Sequence, residues 1–365
     1  MRKVITILVF IFVFLMFFLI CNIKTQESKE TLTSTQIIEQ MEEQSQTKDF
    51  TTQTVTATTA PIKKEIKISF LGDCMMASFK GQYEQGNMSW ALDNKPFSYF
   101  FEKAMPYIGN DTFTIANCEN VFTDTANTPR KKDSTPAFWF KSATKNAKVF
   151  SENSIDAVSI ANNHTNDYGS EGNEDTKKAL DDAGILWGDD SQVVYLESDG
   201  VKIGLICSTF WGEYLQENIV SRIKEIKDST DIQIVFFHGG LERLHSPESW
   251  KKAGCHAFVD AGADLVVGAH PHVLQPLEQY KGVDIAYSLG NFCFGGNTYP
   301  ENRTAILQET FILDENNKIT YTTEGIIPFY VFTGSTNNWQ PAPIEDTAQK
   351  QAVLDFMYGK RISPF

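Results

Sequence analysis

Six short apolar runs, each about the length of a strand and each ending in glycine or polar residues, alternate with helical patterns through the middle of this 365-residue chain. Residues 66–71, 112–116, 157–160, 202–207, 232–237 and 265–268 read as buried strands. Residues 145–153, 173–183 and 246–261 carry helical spacing, and Gly184 and Gly262 stand where helices should stop. Alternation of this kind predicts an α/β fold with largely parallel pairing. After His272 the texture changes. Residues 273–279, 284–289, 305–313 and 318–324 are strand-like runs separated by turn residues such as Lys281-Gly282 and Glu315-Asn316-Asn317. They predict antiparallel strands closing a second sheet. Residues 344–358 are expected to form a covering helix.

The N-terminus has a different logic. Residues 4–23 contain no charged side chain, and as a helix they would be roughly 30 Å long, enough to cross a bilayer's hydrocarbon core. Arg2 and Lys3 should stay on the cytoplasmic side, which places the rest of the chain outside. A cleaved signal peptide is the rival reading, although the run is long for one and no A-x-A site follows closely. Lipidation at Cys21 is a third, opposed by the bulk of Ile20. Residues 24–64 are rich in Thr, Gln, Glu and Ser and offer little to bury, so they read as an extracellular tether. The expected organisation is an anchor or signal peptide over 1–23, the tether over 24–64, a folded domain over 65–335 and a C-terminal extension over 336–365. The expected location is the cell membrane, single-pass, with the domain extracellular.

With Arg2 and Lys3 set aside, the remaining 30 basic side chains face 46 acidic ones, a net of −16. That balance argues against nucleic acid as a partner and against adhesion to an anionic lipid surface. Beyond Cys21 there are five cysteines, an odd number with no C-x-x-C pair, so neither a disulfide framework nor a zinc knuckle is indicated. They read as small buried thiols.

The chemistry lies at the ends of the apolar runs. Asp73 follows the first, where open α/β sheets place their ligands. Glu119 ends the second, and a carboxylate there could bind one cation through each oxygen. Asn162-Asn163-His164 follows the third, with Asp167 just after; an amide oxygen is a hard metal ligand and a neighbouring imidazole can move a proton. His238 closes the fifth and precedes Gly239-Gly240, and His270-Pro271-His272 closes the sixth. Each taken alone has an ordinary structural reading as a turn, a cap or a solvent-facing strand end. Four of the six histidines fall at such ends, however, and together these groups point to a metal site. Arg130, Lys131 and Lys132 form a basic cluster in the loop after Glu119, suited to an anionic substrate but equally the composition of a solvated loop.

The segments GDCMMA, NCEN, SIANNHTNDYG, HGGLE, GADLVVGAHPHVLQ and YSLGNFCF follow one another in the order and approximate spacing of the CapA family, the poly-γ-glutamate capsule synthesis proteins. The chain resembles that family over residues 66–294 and on to about 335, and the family is similar to the calcineurin-like metallophosphoesterases. The resemblance implies a four-layer α/β/β/α sandwich with two divalent ions. By motif position, Asp73 and His272 would hold one ion, Glu119 would bridge, and Asn163, His238 and His270 would hold the other, with His164 as proton donor. Asn162, Asp167 and Asn291, with the basic cluster, would contact substrate. Two departures from the phosphoesterase pattern stand out: Met75 replaces a histidine, and the bridging acid is Glu119 in N-x-E rather than an aspartate. Loss of an imidazole favours a harder ion such as Mn or Mg, with Fe or Zn left open. The implied function is a membrane-anchored extracellular metal-dependent hydrolase acting on an anionic polymer or phosphoester. Its alternatives are a non-catalytic accessory component beside a capsule synthase or exporter, or a metal-free binding domain.

Overall fold

The computed structural model describes residues 63–365 apart from 127, 134, 135 and 300. The expected membrane helix over 4–23 and the tether up to residue 62 lie outside the described residues. No helix among those described is long and apolar enough to cross a membrane.

Two large sheets dominate a mixed α/β fold. In the first, β1 (Lys64–Cys74), β3 (Phe113–Cys118), β6 (Ala157–Ser159) and β7 (Leu186–Gly188) run parallel in that order. On the other flank of β1 the antiparallel β15 (Arg303–Leu313), β16 (Ile319–Tyr330) and β17 (Ala342–Pro343) extend it, and β14 (Asn291–Cys293) pairs with the end of β1. The second sheet has at its centre β9 (Val201–Thr209), β10 (Ile232–His238), β11 (Leu265–Ala269) and β13 (Val283–Leu289), all parallel. Its antiparallel edges are β8 (Val193–Ser198) and β12 (Leu274–Tyr280). A small third sheet joins β2 (Ser78–Phe79), β5 (Phe140–Ser142) and β4 (Val121–Phe122).

One expectation is corrected. The four runs after His272 do not close a single second sheet: β12 and β13 join the second, whereas β15 and β16 complete the first. The reason lies in β1, whose flank away from β3 would otherwise present open backbone groups. β15 covers it from Lys64 opposite Leu313 to Phe70 opposite Leu307.

Strand periodicity explains the layers. Ile66, Ile68 and Phe70 of β1 face Ile232, Ile234 and Phe236 of β10 in a core between the sheets, where the Phe70 and Phe236 rings meet edge to face at 5.7 Å. Leu71, Ala116 and Val158 point the other way, beneath α1 (Met88–Asn94) and α2 (Gly169–Ala183). Ile206, Val235 and Val266 point outward from the second sheet, beneath α3 (Gln216–Ile226) and α4 (Ser249–Ala261). The order is thus helix, sheet, sheet, helix. Gly184 (φ 74°) and Gly262 (φ 118°) end α2 and α4 in the left-handed conformation. Near the C-terminus, α5 (Thr347–Met357) sends Val353, Phe356 and Met357 into the inter-sheet core. All five described cysteines are buried and unpaired, and burial pushes the Cys118 thiol up to about 12.

Candidate metal centre

The strand ends of both sheets meet at one place. Asp73 sits at the end of β1, where Gly72 permits the approach of a neighbouring chain segment: a Cβ there would lie 1.9 Å from the Gly290 carbonyl oxygen. That approach lets the Asp73 amide donate to the same carbonyl at 2.9 Å. Glu119 follows β3, held by its amide donating to Cys74 O at 2.9 Å. His238 ends β10, and His270 and His272 follow β11 with φ of 95° and 59°. Left-handed backbone at two side-chain-bearing residues costs about 1–3 kcal/mol each and is found where a site requires a particular orientation.

The side chains form two groups. Asp73 Oδ2 accepts from the His270 amide at 3.2 Å and lies 3.1 Å from His272 Nδ1, which also contacts Asn291 Oδ1 at 2.8 Å. On the other side, His238 Nε2 lies 2.9 Å from Asn163 Oδ1 and 3.0 Å from His270 Nδ1. Glu119 Oε1 stands between them, 3.8 Å from His238 Nε2 and 3.8 Å from His272 Nε2. This oxygen is fully buried and has no hydrogen-bond partner. An orphaned buried carboxylate oxygen is costly, and a cation would satisfy it.

Electrostatics agree. Burial and the nearby Asp73 carboxylate raise Glu119 well above the usual carboxylate range. Burial alone would lower His272, but the Glu119 and Asp73 carboxylates outweigh it and push it up to about 9. The pair of Glu119 and His272 therefore keeps a proton at neutral pH that a cation would displace. Burial and the neighbouring imidazoles hold His238 well below its ordinary value and push His270 down to about 3, leaving both neutral, the form in which an imidazole binds a metal. Two overlapping sets, Glu119 with His270 and His272, and Asp73 with Glu119 and His238, have ligand atoms all within 4.8 Å of one another. Glu119 belongs to both. Carboxylate, imidazole and amide donors suit Mn, Fe, Zn or Mg, so these buried groups could hold metal.

The remaining residues singled out from the sequence surround this cluster. His164 Nε2 is 3.9 Å from Glu119 Oε1, and its Nδ1 meets Asp167 Oδ2 at 2.8 Å. Burial outweighs Asp167 and lowers the His164 pKa. Asp167 also accepts from the Phe140 amide at 2.8 Å and pairs with Lys132 at 2.5 Å. Asn162 donates to Cys118 O at 2.9 Å and accepts from the His164 amide at 3.0 Å. Asn162 and Asp167 thus make internal bonds that fix His164, and Lys132 lies 3.4 Å from His164 Nδ1. Arg130 and Lys131 join Lys132 around a cavity of about 370 Å³ that also touches Asn163. Met75 is buried.

Two participants escaped the sequence reading. Asn117 donates from Nδ2 to Asp73 Oδ1 at 2.8 Å and contacts His238 Nδ1 at 3.1 Å, tying the two sheets together; its signal was the first residue of NCEN. Trp211 packs edge to face on His270 at 4.8 Å, and nothing in the sequence marked it.

The family model described as bacterial capsule synthesis protein PGA_cap matches residues 67–296. The capsule biosynthesis protein CapA of Bacillus anthracis is 27% identical over 328 residues, covering 82% of this chain and 75% of that protein. The PGA biosynthesis protein CapA of Bacillus subtilis (strain 168) is 28% identical over 311 residues, covering 79% and 76%. Among solved structures, a hypothetical protein from Thermus thermophilus aligns with a TM-score of 0.42 at 14% identity, covering 72% of this chain and 99% of that one.

Proposed function

Because the chain belongs to the bacterial capsule synthesis protein family PGA_cap, we propose that it is a metal-dependent hydrolase, of metallophosphoesterase type, in the assembly of poly-γ-glutamate or a related cell-surface polymer. The observation that carries this reading is Glu119 Oε1, buried and without a hydrogen-bond partner between two groups of ligand atoms. Asp73 and His272 would hold one divalent ion, Asn163, His238 and His270 the other, and Glu119 would bridge. When bound, such ions lower the pKa of water and neutralise charge that develops in hydrolysis.

The protein's own residues supply the rest. Asp167 accepts from His164 Nδ1 and so turns Nε2 toward the centre. A proton leaving His164 must come from its imidazolium form, which burial disfavours, so the donor role draws on the acid side of the pH range. Arg130 and Lys131 offer positive charge beside Asn163 for an anionic substrate. Met75 in place of an imidazole leaves the Asp73 side with one donor fewer, which fits a harder ion. The uncharged run over residues 4–23 behind Arg2-Lys3 supports an anchored protein acting outside the membrane, where a capsule synthase or exporter would be its neighbour.

The test is metal content together with hydrolysis of a panel of phosphoesters and poly-γ-glutamate. The hydrolase reading expects about two divalent ions per chain, as in two-metal sites, and turnover abolished by Glu119→Ala. Bound metal without turnover on any member of the panel would favour the accessory role. Failure to bind any divalent ion would remove both forms of the metal-site reading.

A further inference from the structure

The cation cluster is flanked by two cavities of opposite character. The first, beside Asn163, carries the basic side chains already described. The second, of about 410 Å³, opens beside His164 and His272 and has an aromatic wall. Phe140 meets the His164 ring edge on at 4.9 Å and stacks on Phe138 at 6.3 Å with 6° between the planes. Phe294 lies 4.9 Å from the His272 ring, and Trp339 also lines the cavity. Phe138 is 49% exposed although it lines a concave surface, so the core does not account for its placement. The charges on this side are unfavourable to anions: Glu84, Glu242 and Glu301 face a single Arg243, itself paired with Glu301 at 3.4 Å.

We propose that the aromatic cavity is the leaving-group side of the centre and receives an uncharged apolar alcohol, aryl or alkyl, while the anionic part of the substrate lies toward Asn163 and the basic loop. This rests on the hydrolase reading above and narrows it to a phosphoester with an apolar alcohol. In the step, the oxygen of water joins phosphorus and the phosphorus–oxygen bond to the apolar group breaks with its electron pair on the departing oxygen. That oxygen takes a proton from His164, and the attacking water gives up one to solvent. The position of His164 fits the assignment, because it lines the aromatic cavity and not the basic one. A cavity of this size whose exposed lining is mostly apolar is the usual form of a site for a small molecule. An anionic polymer segment would instead meet Glu84 and Glu242 there, with Arg243 already paired to Glu301, and lose its hydration.

The experiment compares 2-naphthol with 6-hydroxynaphthalene-2-sulfonate, titrated into the full chain and followed by saturation-transfer NMR, which needs neither metal nor turnover. The neutral ligand should bind at least about tenfold more tightly, the cost of desolvating a sulfonate against carboxylates. Phe138→Ala and Trp339→Leu should each weaken it about fivefold, the order expected for loss of one ring contact. Tyr214→Ala, an exposed aromatic outside the cavity, should leave binding unchanged. Equal affinity for the two ligands, or an unaffected Phe138→Ala variant, overturns the proposal. Because Phe138 is half exposed, its loss should leave folding intact. A second arm measures metal-loaded protein on 2-naphthyl phosphate and on its sulfonated analogue: kcat/KM should favour the neutral group, and the preference should shrink in Phe138→Ala. Naphthol binding as expected with no turnover of any phosphoester would overturn the leaving-group assignment through the hydrolase reading. Turnover with no preference between the esters would overturn the assignment and leave the hydrolase reading standing.

Discussion

The two large sheets end at the same place but bring different chemistry to it. The first delivers oxygen: Asp73 from β1, Glu119 from β3 and Asn163 from the loop after β6. The second delivers nitrogen: His238 from β10, and His270 and His272 from the segment after β11. Each of the two overlapping ligand sets takes residues from both sheets. The bonds that cross between them, among them Asn163 to His238 at 2.9 Å, Asp73 to His272 at 3.1 Å and Asp73 to the His270 amide at 3.2 Å, are shorter than the 3.8 Å contacts of Glu119 Oε1 with His238 and His272. The centre is therefore a property of sheet packing, and the imidazoles of the second sheet stand against the buried carboxylates of the first.

The strongest way to break this division of labour is at the shared residue. Glu119→Ala should empty both halves and cost on the order of 10³-fold or more in turnover, since several kcal/mol of charge stabilisation depend on the ions it joins. Metal analysis and a single-turnover assay would check it. Phe236→Ala attacks the packing instead. Removing a buried aromatic that meets Phe70 across the sheets should cost about 3–5 kcal/mol in urea unfolding. If the midpoint barely moves, the inter-sheet core is not what holds the halves together.

Finer comparisons come from outside the ligand set. Asn291→Ala removes a partner of His272 Nδ1 and should weaken metal affinity by about 10–100-fold, the usual range for a residue that orients a ligand. An unchanged affinity would show that Asp73 alone fixes the ring. Metal uptake should release at least one proton at neutral pH, because His272, pushed up to about 9, holds a proton that the cation must displace. Affinity should accordingly rise as pH rises toward that value, measurable by calorimetry in buffers of different ionisation enthalpy; a flat profile would contradict the shared proton. The smallest effect is expected at Lys132→Met. Loss of its positive charge beside His164 Nδ1 should move the His164 pKa upward, toward the ordinary value from which burial lowers it, in a proton NMR titration.

The sequence made some of this legible and hid the rest for physical reasons. Strand-end groups were visible because Asp73, Glu119, His238 and His270 each interrupt an apolar run that a core alone would have continued. Their grouping was not: period-2 patterns place side chains on faces of a strand but do not say which strand ends meet, and only the family resemblance supplied an assignment. The four strand-like runs after His272 read as strands of one sheet, because β13 and β15 are both buried along nearly their whole length and nothing in such a run names its partner. Helix α3 was legible and missed; Ile219, Val220, Ile223 and Ile226 carry its spacing. The aromatic cavity could not have been read at all, since Phe79, Phe138, Phe294 and Trp339 come from four separated parts of the chain.

The most direct test of a centre shared between the sheets is anomalous diffraction at the manganese edge from crystals grown with Mn²⁺. Two peaks are expected on either side of the Glu119 carboxylate, one beside Asp73 and His272 and the other beside Asn163, His238 and His270. Density for Glu119 with no anomalous peak beside it, and with the His238–His270 and Asp73–His272 contacts unbroken, would contradict it.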